Sequence, residues 1–236
     1  MIAAILGATA RHRRAVLTGG VAVAIVDAAA ASLMPSDGPV LAVLGVLLLL
    51  GLASWLQPRP AEFVAQPDVP AFGSPVRAGP IYLAIFVLLV AAETVGRLLR
   101  PVRLGSSLDL LFSAVAMSVI AVLSVVAAWR GLGVQLRPQG VRVREIWGTL
   151  TVPWEALPVG QAHRPADQPP TLRVAYARPE LVRRRGRVAK ETLPTDNIDA
   201  QFLADAIRHY VRHPEHRAAI GSAVEYRRLR DALADR

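Results

Sequence analysis

Residues 136–157 read LRPQGVRVREIWGTLTVPWEAL, and the fold of the C-terminal half can be inferred from their pattern. Apolar and polar side chains alternate along it, as where Val141 and Val143 flank Arg142. A period of two is typical of a β-strand with one buried face. Residues 137–140 are typical of a turn, because proline stands second and glycine fourth. The stretch therefore predicts strands joined by tight turns.

The same alternation continues on both sides of that stretch. Strands are predicted at 132–136, 141–144, 150–154, 172–176 and 188–193. An apolar stripe at helical spacing follows, and it predicts an amphipathic helix capped by Asp196 or Asn197 and ended by Pro214. Its members are Phe202, Leu203, Ala206, Ile207, Tyr210 and Val211. Strands followed by such a helix indicate a small α+β domain.

The opening of this region resembles that of a bacterial pleckstrin-homology-like (PH-like) domain. In those domains a glycine turn leads into a strand pair that ends in a Pro-Trp-acid motif, which here is Pro153-Trp154-Glu155. The segment HPEHRAAIGSAVEYRRL at 213–229 resembles the end of actinobacterial multi-pass membrane proteins that carry this domain. The resemblance covers roughly residues 130–236. It implies a partly open antiparallel barrel closed by a C-terminal helix, with no catalysis.

Four long apolar runs dominate the N-terminal half, at 15–34, 40–56, 81–99 and 108–129. A bilayer core about 30 Å thick takes roughly 20 residues of helix. The sequence therefore predicts a bundle of four transmembrane helices over 1–129 and a cytoplasmic PH-like domain over 130–236. Buried helices of a soluble protein are disfavoured by the number of runs. A cleaved signal peptide is disfavoured by the length of the first run.

Arginines near the ends of the runs predict the orientation. An arrangement with both termini inside places more of them on the cytoplasmic side, so we expect a multi-pass protein of the cytoplasmic (inner) membrane with cytoplasmic termini. The loop at 57–80 holds six prolines, among them Pro58 and Pro80, and it is predicted to be an exposed connector.

Two acids lie inside the predicted spans, Asp27 in the first and Glu93 in the third. Arg97 follows Glu93 by four residues, and it can pair with Glu93 along the helix or reach towards the interface. An acid at this depth faces protein or water because lipid solvates it poorly. A polar contact that fixes helix packing is the favoured interpretation. The alternative is a small transporter or channel subunit that uses Asp27 and Glu93, with a regulatory C-terminal domain.

Basic residues concentrate in or beside the loop that precedes the last predicted strand. They are Arg178, Arg183, Arg184, Arg185, Arg187 and Lys190. Basic residues held near an anionic leaflet gain about 1 kcal/mol each. Contact with anionic headgroups and a simple solvated loop are equally favoured from the sequence. Nucleic acid is not expected, since no aromatic residues interleave with the arginines.

Three histidines, His209, His213 and His216, lie near the end of the predicted amphipathic helix. They lack the glutamate and third ligand of the zinc helix motif, so they are interpreted as surface histidines at a helix C-terminus, and no metal is expected. No cofactor is expected either. The chain has no cysteine, which excludes disulfides and thiolate chemistry. No nucleophile elbow, P-loop or dinucleotide fingerprint occurs, so an enzyme is not expected.

Composition agrees with this interpretation. The chain of 236 residues is 53% hydrophobic, which excludes disorder, and its net charge is +9. The sequence therefore predicts a membrane protein that presents a PH-like binding or scaffolding domain. Its expected partners are anionic lipid and an unidentified protein, and self-association is compatible with the sequence.

Overall fold

A computed structural model of the chain describes residues 8–10, 12–33, 38–66, 69–99, 107–130, 132–158 and 169–234. The chain divides into two compact units. The helical unit comprises Met1–Pro58 and Val76–Gly131, and the sheet unit comprises Arg59–Pro75 and Leu132–Arg236. The layout of a helical part and a sheet part that the sequence predicts is therefore present.

The described part of the helical unit contains four long helices, and the third packs against the other three. They are α1 Arg13–Leu33, α2 Gly38–Leu56, α3 Gly79–Leu99 and α4 Ser107–Arg130. Buried Ile81 and Ile85 of α3 lie in one apolar cluster with Leu17 of α1. A Cβ on Gly20 would stand only 3.0 Å from Ile85, so the small residue permits this close approach of the two helices.

Two of the described helical segments, Gly79–Leu99 and Leu108–Trp129, are long and apolar enough to cross a membrane. The prediction of four transmembrane helices is wrong for the described residues. Within α2, the apolar segment Val43–Leu56 is shorter than these two segments. Helix α1 holds Arg13 and Arg14 at its start and Asp27 within it. A carboxylate inside a helix opposes its insertion, because lipid solvates the charge poorly.

The sheet unit is built on a six-stranded antiparallel sheet with the order β1-β2-β3-β4-β5-β7, and β6 and β8 form a second, two-stranded sheet. The strands are β1 Val64–Gln66, β2 Ala71–Gly73, β3 Gly133–Arg137, β4 Gly140–Glu145, β5 Gly148–Pro153, β6 Thr171–Arg173, β7 Arg183–Gly186 and β8 Thr192–Pro194. The predicted fold class is therefore corrected to a helical unit with two candidate spans and a unit based on this sheet.

Strands β1 and β2 come from the proline-rich segment, so the prediction of an exposed connector there is wrong. Phe72 of β2 pairs with Leu136 of β3, and its ring is fully buried. Phe63, also buried, lies 6.2 Å from Phe72 between ring centroids. The burial of two phenylalanines stabilises the pairing, and the prolines lie outside the paired residues.

Helix α5, Ala200–Arg212, buries one face against the sheet unit's core, including Leu203, Ile207 and Tyr210. Its N-cap is Asp199, whose carboxylate accepts the N–H of Phe202 at 2.7 Å. The prediction of Asp196 or Asn197 as the cap is thus wrong by two or three positions. Helix α6, Ala223–Ala234, follows the short 3-10 helix Pro214–Ala219.

The Pro-Trp-Glu motif has a structural role in the sheet unit. Trp154 is 1% exposed, and its Nε1 donates to the carbonyls of Arg137 and Pro138, both at 3.0 Å. Its ring centroid lies 5.8 Å from that of Tyr210 on α5. The motif therefore joins the β3–β4 turn to α5. Gly140 closes that turn at φ +150°, where a Cβ would lie 2.1 Å from the carbonyl oxygen of Val152.

Candidate functional site

The arginine-rich segment forms an edge strand of the six-stranded sheet, so the prediction of a loop there is wrong. In β7, Arg183, Arg184 and Arg185 pair with residues of β5, and all three are exposed. Their sequence shows no apolar alternation because the strand is held by backbone pairing and not by burial. Charges on an edge strand also prevent pairing with other chains, which is a purely structural role for them.

Cross-strand pairing brings β7 and β4 arginines to one face. Partners in an antiparallel pair project to the same side of the sheet. Thr151 of β5 pairs with Arg142 on one side and Arg183 on the other. Thr149 pairs likewise with Arg144 and Arg185. We call Arg142, Arg144, Arg183 and Arg185 the arginine face.

None of the four members of the arginine face forms an ion pair in the part of the chain that the structure describes. The Nε of Arg142 is buried and has no hydrogen-bond partner among the described residues. Beside the face, burial together with the charges of Arg142 and Arg144 lowers the pKa of Arg137. The guanidinium groups thus repel one another, and an anion would relieve that repulsion.

A large exposed aromatic ring lies at the end of the β4–β5 hairpin. Trp147 is 62% exposed, and its carbonyl accepts the N–H of Arg187 at 3.0 Å. Gly186 passes that carbonyl at φ +80°, where a Cβ would lie 2.1 Å from the oxygen. The backbone therefore holds Trp147 next to the end of β7. Tryptophan and basic residues in this combination are typical of membrane–water interfaces.

The structure does not unite all six predicted basic residues. Arg184 projects to the side of the sheet opposite the arginine face, because side chains alternate along a strand. Its partner across the strand pair is the buried Leu150. Arg178, Arg187 and Lys190 are exposed but lie outside the paired part of β7. Sequence reasoning missed Arg142 and Arg144 as site residues. Their alternation showed that they point outward, but only the register joins them to β7.

The predicted intramembrane residues lie on neighbouring helices α1 and α3. Arg97 Nε donates to Glu93 Oε1 at 3.1 Å, so the structure has the pair along the helix, the first of the two alternatives for Arg97. Asp27 is near enough to Glu93 to interact electrostatically, and its Oδ2 is buried with no partner among the described residues. The structure thus brings the three together, and the transport interpretation stays a prediction.

A groove of about 360 Å³ opens beside the arginine face. Its lining includes Arg144, Glu145, Trp147, Asp196 and Asn197. Burial, and then the charge of Asp196, raise the pKa of Glu145 above its usual value. The groove therefore holds two acids, and ionisation of Glu145 is disfavoured there.

Glu145→Gln is expected to raise the unfolding midpoint at pH 7 modestly. Because the folded-state pKa is raised, Glu145 favours folding below its unfolded pKa and loses that contribution as the pH rises through the folded pKa. The advantage of the variant over the wild type should therefore shrink between pH 7 and pH 5. Thermal unfolding at both pH values checks this, with exposed Glu180→Gln as the control. If the unfolding midpoints of Glu145→Gln and the wild type differed by the same amount at pH 7 and pH 5, the expectation would be contradicted.

No family model, curated protein or solved structure matches this chain. The resemblance to PH-like domains and the actinobacterial origin therefore stay predictions. The functional argument rests on the arginine face and on its surroundings.

Proposed function

We propose that this is a membrane-associated binding or scaffolding protein whose arginine face contacts anionic phospholipid headgroups at the cytoplasmic membrane surface. The observation that carries the proposal is the pair of Arg-Thr-Arg rows, which place four guanidinium groups on one face of a sheet, none of them in an ion pair with another described residue. Guanidinium groups bind phosphate through paired N–H donors.

The covalent structure favours a lipid as the source of that phosphate. The chain passes between the helical and sheet units three times, after Pro58, Pro75 and Gly131. Two segments of the helical unit are long and apolar enough to cross a membrane. A sheet unit joined in this way stays near the bilayer, where the local concentration of anionic headgroups is high.

Exposed Trp147 can add an apolar contact with the membrane next to the end of β7, where Arg185 of the arginine face lies. Its ring can enter the headgroup region while the arginines contact phosphate, and these two contributions favour a surface over a free anion. Recruitment of a protein partner, the cytoplasmic placement of both termini and the multi-pass arrangement belong to the same proposal.

Cysteine accessibility in the full chain tests the proposal, since the natural sequence has no cysteine. Thr149→Cys places a thiol between Arg144 and Arg185, and exposed Ala223→Cys on α6 is the control outside that sheet. Each variant is placed in nanodiscs of phosphatidylcholine, with or without phosphatidylglycerol. The rate of reaction with an uncharged polyethylene glycol maleimide is then measured.

Anionic lipid is expected to slow labelling at Thr149→Cys several-fold and to leave the labelling rate at Ala223→Cys unchanged. Added salt should restore the rate, because screening weakens surface contacts between charges. Equal rates in the two lipids at low salt would contradict the proposal. The arginines of β7 would then be left with the role of protecting a sheet edge.

A further inference from the structure

Three histidines gather at the C-terminal end of α5. The interpretation as surface histidines is wrong for His209, which is 3% exposed. The ring centroids of His209 and His213 lie 4.8 Å apart, those of His209 and His216 5.3 Å, and those of His213 and His216 5.2 Å. The three histidines, which are separated along the sequence, therefore form one cluster in the folded chain.

The backbone fixes this cluster. Pro214 has no N–H and cannot continue α5, so the chain turns into the 3-10 helix Pro214–Ala219. Arg217 then anchors that turn to the end of α5. Its Nε donates to the carbonyl of Tyr210 at 2.7 Å, and its second guanidinium nitrogen donates to the carbonyl of Val211 at 3.3 Å. His216 is thereby held against the last turn of α5.

Three potential ligand atoms converge at the outer side of the cluster. Glu215 Oε1 lies 3.0 Å from His213 Nδ1 and 3.9 Å from His216 Nε2, and all three atoms lie within 4.8 Å of one another. Two atoms bound to zinc at about 2.0–2.1 Å lie roughly 3.3–3.4 Å apart in a tetrahedral site. The observed separations are on either side of that value. The three side chains are 43%, 60% and 24% exposed, so they have room to adjust and a cation can reach them.

His209 supplies the outer hydrogen bond that metal-binding histidines usually have. Its Nε2 lies 3.2 Å from Nδ1 of His216. If His216 binds metal through Nε2, its Nδ1 carries the proton and donates it to His209. Such a bond fixes the tautomer and the orientation of the ligand ring.

The local charges favour a cation. The C-terminal end of a helix carries partial negative charge. The carboxylate of Glu215 adds a negatively charged ligand beside the two imidazoles. A second grouping, His209, His216 and Glu225, is also compact. Its carboxylate, however, already accepts from Tyr210 at 3.3 Å and from Arg228 at 2.8 Å.

We propose that His213, Glu215 and His216 bind a divalent transition metal ion such as Zn²⁺, with His209 as the positioning residue for His216. Two imidazoles and one carboxylate form a ligand set that suits this class of ion, and solvent completes the coordination. The site is independent of the lipid contact proposed for the arginine face.

Zinc titration of the full chain in detergent tests the site, with any polyhistidine tag removed. Isothermal calorimetry is expected to show one ion per chain. His213→Ala, His216→Ala and Glu215→Gln should each raise the dissociation constant at least tenfold. His12→Ala and Glu180→Gln, which change an exposed histidine and an exposed acid elsewhere, should leave it unchanged. Far-UV circular dichroism verifies that each variant is folded.

Two results would overturn the proposal. One is absence of zinc binding by the wild-type chain. The other is unchanged binding by His213→Ala and Glu215→Gln, which would assign the ion to the inner group around Glu225. Because both side chains are substantially exposed, these variants test the site without disturbing the core.

The positioning role of His209 has its own test. His209→Gln keeps an acceptor near the position of Nε2, whereas His209→Leu removes it. The glutamine variant is expected to bind zinc more tightly than the leucine variant at equal thermal stability. If zinc binding were weakened equally in His209→Gln and His209→Leu, the positioning role of His209 would be contradicted. Loss of packing alone would weaken binding in both variants, whether or not an acceptor is present.

Discussion

Trp154→Ala is expected to lower the free energy of unfolding of the sheet unit by about 3–5 kcal/mol, the usual cost of emptying a buried tryptophan site. The ring is 1% exposed and contacts Tyr210, so its removal leaves a cavity between the sheet and α5. The carbonyls of Arg137 and Pro138 also lose the N–H that both accept. Urea unfolding of the full chain, followed by far-UV circular dichroism, measures the change.

Trp147→Ala is the matched control for this prediction, because the same side chain is removed from a site that is 62% exposed. It should change the free energy of unfolding by no more than about 0.5 kcal/mol. Trp154→Phe should lie between the two, since it keeps an aromatic ring but loses the N–H donor. If Trp154→Ala unfolded like Trp147→Ala, the motif would not join the turn to α5.

Neutralising the arginine face is expected to weaken binding to anionic vesicles by about a thousandfold. Four substitutions to glutamine, each worth about 1 kcal/mol at an anionic surface, remove about 4 kcal/mol, and each 1.4 kcal/mol is a factor of ten. The variant changes Arg142, Arg144, Arg183 and Arg185 together. Surface plasmon resonance of the full chain in phosphatidylcholine nanodiscs, with captured vesicles containing phosphatidylglycerol, measures the affinity.

An equal change of net charge elsewhere separates a specific face from a general attraction. The control replaces four exposed arginines outside the six-stranded sheet by glutamine, namely Arg173, Arg212, Arg227 and Arg230. It should lose at most about tenfold, because exposed charges beyond a Debye length of about 8 Å act weakly. Equal losses in both variants would show that net charge, and not the arginine face, governs binding.

The central hairpin could be predicted from the sequence because its alternation reports burial directly. Val141, Val143, Leu150 and Val152 are buried, and the residues between them face outward. The strand character of β7 could not be predicted, because Arg183, Arg184 and Arg185 bury nothing and are held by backbone bonds to β5. Periodicity detects only strands that have one apolar face.

Long-range pairing explains the other differences. Phe72 gives no local indication that its partner Leu136 lies beyond two intervening helices. The histidine cluster likewise depends on Arg217, which returns the 3-10 helix to the carbonyls at the end of α5. In the helical unit, hydropathy alone predicts more spans than the described helices support. The length of an apolar run does not weigh the cost of an ionisable side chain within it, such as Asp27 in α1.

The pairing of β2 with β3 has a consequence for the order of folding during synthesis. The β1–β2 hairpin leaves the ribosome before α3 and α4, yet the outer edge of β2 stays open until β3 has been made. The sheet is thus completed by closing a loop that contains both helices, a step whose entropic cost grows only slowly with loop length. A nascent chain halted before β3 would expose an unpaired strand edge, the kind of surface that chaperones protect and that aggregates when left alone.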